Sequence, residues 1–81
     1  MTDLHLHIVS PEGTLADARV RAVYLPGAEA PFEVLPGHAG IISPLLAGEV
    51  RYATEEGMQV LAIRGGFVRV ADDQVELAVE A

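Results

Sequence analysis

Cysteine and lysine are both missing from this 81-residue chain, and each absence excludes a class of chemistry. Without cysteine there is no disulfide, no thiolate ligand for zinc and no cysteine nucleophile. Without lysine there is no P-loop lysine and no Schiff base. Long apolar runs are missing too. None approaches the roughly 18 to 20 residues that a membrane-spanning helix needs, so we expect no direct insertion into a membrane.

Positive charge is scarce. Five arginines stand against twelve aspartates and glutamates, which gives a formal net charge of −7. Because binding to phosphate groups needs clustered positive charge, we expect no nucleic-acid partner. The acidic balance favours docking against a basic partner through long-range attraction.

The chain has room for a single hydrophobic core, so residues 1–81 are predicted to form one domain. Apolar residues make up 51% of the sequence, which is enough for the chain to fold. A core of this size usually supplies only about 3–5 kcal/mol of net stability. A chain like this often gains further stability from a partner.

Apolar and polar residues alternate with a period of two along most of the chain, which is typical of β-strands. The pattern is clearest at residues 4–8 and 74–80. No window supports a helix of useful length, because glycine or proline interrupts the chain about every ten residues. About nine to ten short strands in a chain of this length predict an all-β fold, a flattened antiparallel β-sandwich or barrel of two sheets.

One extended stretch is expected to leave its sheet. Over residues 14–25 the alternation changes parity, because Arg19 and Arg21 share a side with Val23. One face of a strand cannot be both charged and part of the core. We therefore expect a β-bulge near Arg21–Ala22 or a strand that passes from one sheet to the other.

Pairs of turn-forming residues predict where the strands end. Pro26–Gly27 and Pro36–Gly37 each fit the central positions of a type II turn. Gly65–Gly66 lies between two apolar runs and predicts a tight hairpin of type I′ or II′, with a positive φ at one glycine at least. Asp72–Asp73 predicts another turn, so the C-terminal third is expected to be an antiparallel meander.

Local motifs that carry catalysis or bind phosphate or metal ions are missing, so we assign no catalytic, cofactor-binding or metal residue. His5 and His7 project from one strand face and, with Asp3 nearby, could share a metal ion; two solvent-facing polar residues are the alternative. His38 follows a predicted turn, where it could cap the turn, contact a partner or carry a proton. Asp72–Asp73 fits a turn better than a calcium site, which needs several more oxygen ligands.

The sequence Leu-Pro-Gly-His-Ala at residues 35–39, followed by Ile-Ile-Ser-Pro-Leu at residues 41–45, resembles the epsilon subunit of the F-type ATP synthase in its N-terminal β-sandwich domain. Further segments resemble the same family in the family's order, and together they span nearly the whole chain. These segments are Leu6–Glu12, Leu25–Gly27, Ala47–Val50 and Arg64–Val68.

This resemblance implies a mechanical role and no catalytic one. It implies a β-sandwich at the base of the rotating central stalk of a proton-translocating ATP synthase, peripheral to the membrane on the cytoplasmic face of the inner (plasma) membrane. The implied partners are the gamma subunit and the c-ring, whose rotation the subunit helps to pass to gamma. No cofactor is implied.

The resemblance also implies two contact regions. Glu29 is expected to meet a basic residue of the c-ring, since ring loops in the family commonly present an arginine. Three residues are expected to lie towards gamma, namely Ser10, His38 and Ser43. Six residues of one loop are expected to face the c-ring, namely Gly27, Ala28, Glu29, Ala30, Pro31 and Phe32.

Many members of the family continue beyond the sandwich into a C-terminal helical hairpin. This chain stops at Glu80–Ala81, so we expect the short form of the subunit, which lacks the hairpin. The alternative, from the residues alone, is a free-standing β-sandwich that binds a small ligand or a metal ion through His5 and His7.

Overall fold

A computed structural model describes residues 3–81, and within them the chain forms nine β-strands and no helix. These residues thus offer no helical segment long and apolar enough to span a bilayer. The all-β prediction is confirmed. The strands are β1 (Leu4–Ser10), β2 (Gly13–Val20), β3 (Ala22–Leu25), β4 (Phe32–Val34), β5 (Ile41–Leu45), β6 (Gly48–Thr54), β7 (Gly57–Ile63), β8 (Gly65–Ala71) and β9 (Gln74–Glu80).

The strands form two sheets, as predicted for a sandwich. A five-stranded sheet has the order β2-β1-β9-β8-β5, and a four-stranded sheet has the order β4-β3-β6-β7. Neighbouring strands are antiparallel except β1 and β9, which pair in parallel. The first and last strands of the chain therefore lie side by side within the larger sheet.

The core consists of the inward-facing side chains of both sheets. In β9 every second residue is buried, and in β1 the buried residues are Leu4, Leu6 and Ile8. Burying a Val, Leu or Ile side chain contributes about 1.5–3 kcal/mol relative to leaving it exposed. The remaining core residues are Val20, Val23, Leu25, Val34, Leu45, Val50, Ile63, Val68, Val70, Val75, Leu77 and Val79.

Of the two alternatives expected near Arg21–Ala22, a β-bulge or a change of sheet, the structure shows the change of sheet. β2 ends at Val20 in the five-stranded sheet, and β3 begins at Ala22 in the four-stranded sheet. The backbone N–H of Arg21 donates to the carbonyl of Ala53 at 2.9 Å, which holds the corner against β6. Because the chain turns here, Val20 and Ala22 can both be buried while the side chain of Arg21 stays exposed.

The predicted Gly65–Gly66 hairpin and the C-terminal meander are wrong. β7 and β8 lie in different sheets and are joined by Arg64 alone. The glycines open β8 with φ values of 153° and 152°, so the expected positive φ is confirmed at both. A Cβ at Gly66 would overlap the backbone carbonyl oxygen of Ala78 on β9. The pair thus permits a close approach between strands, which the sequence pattern does not distinguish from a turn.

Of the other three turn predictions, two are confirmed and one is wrong. Pro36–Gly37 is confirmed, since Gly37 has a φ of 85° and the N–H of His38 donates to the carbonyl of Leu35 at 3.0 Å. Asp72–Asp73 is confirmed as the β8–β9 turn, with φ values of 52° and 61°. The type II turn at Pro26–Gly27 is wrong: Gly27 is not among the glycines with positive φ and instead bridges to Leu45.

Gly66→Ala is expected to lower the free energy of unfolding by about 3 kcal/mol or more. The alanine would have a positive φ, and its Cβ would also overlap the backbone of Ala78, which is held in β9. Gly65→Ala is the matched control. It carries the same φ penalty of about 1–2 kcal/mol, but its Cβ would lie 3.6 Å from its nearest neighbour, the carbonyl oxygen of Leu45. Urea unfolding followed by circular dichroism measures both, and equal losses would contradict this account of β8.

Candidate functional site

The loop that joins β3 to β4 is attached to the end of β5 through the backbone. Gly27 forms an isolated bridge with Leu45. The N–H of Ala28 donates to the carbonyl of Pro44 at 3.0 Å. Both contacts use main-chain groups, so they hold the loop against β5 without help from its exposed side chains.

Gly27 is buried and leaves no room for a side chain. A Cβ there would lie 2.5 Å from the carbonyl oxygen of Ala30 and 2.8 Å from the ring of Phe32. Phe32 is half-buried and packs against the core, and the N–H of Leu46 donates to the carbonyl of Pro26 at 2.8 Å. The loop therefore folds over Gly27 as a pre-formed projection whose exposed residues are Ala28, Glu29, Ala30 and Pro31.

This loop lies at one end of the sandwich together with the turn that follows β1. β1 and β9 run parallel, so their C-terminal ends are neighbours. The end of β9 pairs with the start of β8, the start of β8 with the end of β5, and the end of β5 with the loop, so these segments form one row. Four exposed carboxylates lie along this row or at the adjoining start of β6, against one exposed arginine, Arg64, so the excess of negative charge attracts positive charge. We name this region the acidic end, defined by Glu12, Glu29, Glu49 and Glu80.

A row of apolar side chains crosses the outer face of the five-stranded sheet. Phe67, which is 60% exposed, lies between Pro44 on β5 and Ala78 on β9. Ala78 in turn lies opposite Val9 on β1, and Ile42 on β5 is 75% exposed on the same face. A contiguous apolar surface of this kind is typical of a protein contact. We name it the apolar strip, defined by Val9, Ile42, Pro44, Phe67 and Ala78.

The three residues expected to face gamma are not brought together. Ser43 lies on β5 opposite the buried Val68, so its side chain has the parity of the inner face and not that of the apolar strip. Ser10 ends β1 with the parity of the buried Ile8, and its hydroxyl donates to Oε1 of Glu12 in the β1–β2 turn at 3.2 Å. His38 lies at the opposite end of the sandwich, next to the β8–β9 turn, where the N–H of Gly37 donates to the carboxylate of Asp73 at 2.7 Å. The structure thus separates Ser10, His38 and Ser43, and none of the three shares the outer face that carries the apolar strip.

The apolar strip was not predicted from the sequence, although β8 contains a signal for it. In β8, Val68 and Val70 are buried while Phe67 and Arg69 are exposed. A period-two reading of β8 alone would have placed Phe67 on the polar side of the strand. An aromatic residue on that side is the signal that was available.

His5 connects three strands on the same outer face. Its Nε2 lies 2.5 Å from Oδ1 of Asp17 on β2, and its Nδ1 lies 3.2 Å from Oε1 of Gln74 on β9. A doubly protonated ring donates to both oxygens. The hydrogen bond with Asp17, and secondarily that with Gln74, therefore raises the pKa of His5 above its ordinary value.

The two histidines share a strand face as predicted, but they do not form a metal centre. Across residues 3–81 no three His, Asp or Glu side chains are placed to hold one metal ion. The Nε2 atom of His5 is already occupied by Asp17. The metal-binding alternative therefore has no ligand set in the part of the chain that is described.

Two more polar contacts order the outer faces. Arg69 donates from Nη1 to Oε1 of Glu76 at 3.0 Å, next to the apolar strip. On the four-stranded sheet, Tyr24 lies opposite Glu33, and a hydrogen bond to that carboxylate raises the pKa of the Tyr24 phenol. Both contacts are exposed, and exposed pairs of this kind contribute little to stability.

A groove lies between β2 and the β6–β7 hairpin. Its lining includes Leu15, Arg19, Arg21, Tyr52 and Glu56. It lies apart from the loop over Gly27. The acidic end and the apolar strip offer contact with other molecules through charge and apolar area.

Residues 3–81 match the family model described as the ATP synthase delta/epsilon chain β-sandwich domain. The chain belongs to this family. The resemblance noted in the sequence is thereby confirmed, and the match covers both the acidic end and the apolar strip.

Curated proteins of the delta/epsilon family are similar to the chain over nearly all of it. The ATP synthase epsilon chain of Campylobacter fetus subsp. fetus is 38% identical over 81 residues, which are 99% of this chain and 63% of that protein. That of Desulfitobacterium hafniense is 36% identical over 75 residues, 93% of this chain and 57% of that protein. The chain thus spans about three-fifths of the length of these relatives.

Solved structures share the fold of the delta/epsilon sandwich. A chain of the Euglena gracilis mitochondrial ATP synthase, solved as OSCP/F1/c-ring, superposes with a TM-score of 0.91 at 23% identity, covering 100% of this chain and 52% of that one. A chain of the Tetrahymena thermophila mitochondrial ATP synthase, solved as central stalk/c-ring, has a TM-score of 0.80 at 16% identity, with coverages of 99% and 65%. At these identities the likeness establishes the fold.

The stability of the fold is expected to depend on pH through His5. Because folding raises the pKa of His5, the stabilising contribution is fully present below about pH 6.5 and is lost as the pH rises through the raised pKa. Asp17→Asn is expected to lower the pKa of His5 and to flatten this dependence, and Glu29→Gln is the control that should retain it. NMR titration of the imidazole, with urea unfolding between about pH 5 and pH 9, measures both. An unchanged His5 pKa in Asp17→Asn would contradict the assignment.

Proposed function

We propose that this chain is the β-sandwich of an ε-type subunit in the central stalk of an F-type ATP synthase. In this role it is non-catalytic, lies at the cytoplasmic face of the inner (plasma) membrane as a peripheral part of the complex, and helps to pass rotation of the c-ring to gamma. The observation that carries the proposal is the family match over residues 3–81. Relatives that are 35–38% identical and named ATP synthase epsilon chain support it.

The acidic end is the surface that we assign to the c-ring. Glu29 is exposed on the projection over Gly27, and Leu46, 54% exposed, adds apolar area next to it. A loop that is already ordered loses little conformational entropy on binding, and its carboxylates attract basic ring loops. The Euglena and Tetrahymena assemblies both contain a c-ring, which is consistent with this contact.

The apolar strip is the surface that we assign to gamma. Its centre is Phe67, and large aromatic side chains at the centre of an interface commonly carry most of the binding free energy. Ser10 and Ser43 do not share the outer face of the strip, so this assignment rests on the apolar residues of the strip. His38 lies at the opposite end of the sandwich and would make a second, separate contact with gamma.

Glu29→Cys is expected to cross-link to a cysteine placed in the exposed loop of the c-ring within the assembled complex. The chain has no native cysteine, so the introduced thiol is unique. Glu55→Cys, in the β6–β7 turn at the other end of the sandwich, is the matched control and is expected not to cross-link. If Glu29→Cys fails in a complex that retains gamma, the ring assignment is wrong while the gamma assignment stands.

Phe67→Asp is expected to weaken binding of gamma by at least about tenfold, because it places a carboxylate at the centre of the apolar strip. Phe67 is largely exposed, so the free energy of unfolding should change by less than about 0.5 kcal/mol. Met58→Asp introduces the same charge on the other sheet, at a residue that is 51% exposed, and should bind gamma normally. Co-purification and titration calorimetry with gamma measure the effect. Equal losses from both variants would contradict the assignment.

A further inference from the structure

One edge of the sandwich lacks the features that usually prevent strands from pairing between molecules. Three edge strands are protected. β2 has a register irregularity opposite Ile8–Val9 and carries charged side chains, β5 contains Pro44, and β4 has only three residues between Pro31 and Pro36. The fourth edge strand, β7, is seven residues long, with the sequence Gly-Met-Gln-Val-Leu-Ala-Ile. It has no charge and no proline, and its pairing with β6 is regular.

The backbone of β7 presents donors and acceptors along this free edge. Ala53 on β6 accepts a hydrogen bond from Arg21, so its carbonyl points towards β3. Peptide groups alternate in direction along a strand, so the bonds from β6 to β7 come from the alternate residues Thr54, Tyr52 and Val50. Their partners in β7 are Gly57, Gln59 and Leu61. The N–H and C=O groups of the alternate β7 residues therefore point away from the sheet. These residues are Met58, Val60 and Ala62.

The side chains of the same residues are apolar and accessible. Met58 and Val60 are each 51% exposed, and Ala62 is exposed beside them. β7 is followed by Arg64 and preceded by the acidic turn Glu55–Glu56. The edge is thus apolar in the middle, with Glu55–Glu56 before its first residue and Arg64 after its last. Arg21, whose guanidinium donates to the Thr54 carbonyl, lies beside the first end, and Glu80 lies beside the second.

We propose that β7 is a self-association edge, which pairs antiparallel with β7 of a second copy of this chain about a two-fold axis through Val60. In this register Met58 of each copy lies opposite Ala62 of the other. The free backbone groups then bond to one another, and the two four-stranded sheets become continuous. The residues that flank β7 are equally spaced from Val60, so the pairing brings the side chain of Glu56 of each copy towards that of Arg64 of the other. The backbone N–H of Arg64 stays bonded to the Glu80 carbonyl, so this contact is one of side chains alone.

Charge complementarity is the reason for assigning a second copy as the occupant. In an antiparallel pairing the first residue of one strand lies beside the last residue of the other. A segment with a negative charge at one end and a positive charge at the other therefore complements a second copy of itself. The two-fold symmetry forms the pair of Glu56 with Arg64 twice. The net charge of −7 on each copy opposes this attraction, so the association depends on protein concentration. The edge belongs to the four-stranded sheet and is separate from the apolar strip. The inference therefore goes beyond the proposed function and does not rest on it.

Sedimentation of the 81-residue chain from about 10 µM to about 1 mM tests the pairing. The mass is expected to rise from 8.6 kDa towards twice that value. Val60→Lys puts two like charges on the two-fold axis and should weaken association at least tenfold. Ile42→Lys changes the net charge equally at an exposed site on β5 and should leave association unchanged. A single 8.6 kDa species at every concentration, or loss with Ile42→Lys and not with Val60→Lys, overturns the proposal.

Charge reversal tests the register. Glu56→Arg alone and Arg64→Glu alone should each weaken association about fivefold, because each replaces two attractive pairs by repulsive ones. The double variant has the net charge of the original chain and should restore association to within about twofold. Hydrogen exchange at Met58, Val60 and Ala62 should slow as concentration rises. Failure of the double variant to recover, when circular dichroism shows that it is folded, overturns the assigned register.

Discussion

Burial of alternate side chains between two sheets is the interaction on which the rest of this structure depends. The chain has no cysteine, and residues 3–81 contain no helix. The sandwich is therefore held together by its core, in which Ile8 and Leu77 of one sheet cluster with Val23 of the other. Hydrophobic burial has no preferred direction, so the period of two decides which side of each strand faces inward. Residues of the opposite parity are then free to form surfaces for other molecules.

Two corners of a single residue each organise those surfaces. Arg21 carries the chain from β2 to β3, and Arg64 carries it from β7 to β8. At the second corner the N–H of Arg64 donates to the carbonyl of Glu80 at 2.6 Å, which holds the end of β9 at the acidic end. Gly66 allows β8 to approach β9 closely just after this corner, because there is no space for a side chain at that position. The elements around the proposed c-ring contact are thus fixed by backbone packing.

The candidate site could be predicted from the sequence only in part. The family resemblance implied a contact through the loop with Glu29. The loop is held in place by the contact of Ala30 and Phe32 over Gly27, and no sequence pattern predicts this contact. The apolar strip was missed because its members come from four different strands and meet only across the sheet. Single strands show each of these residues as one exposed apolar side chain, which by itself is ordinary.

The sequence by itself determined the all-β class, the approximate number of strands, the irregularity near Arg21 and the turn at Asp72–Asp73. These features follow from local parity and from residues whose backbone preferences act over a few positions. Only the tertiary structure decided that β1 pairs in parallel with β9 and that β7 and β8 part into different sheets. The alternation assigns each strand an inner face, but many pairings satisfy the same alternation. The choice among them depends on how all the inner faces fill one core, which no local stretch of sequence contains.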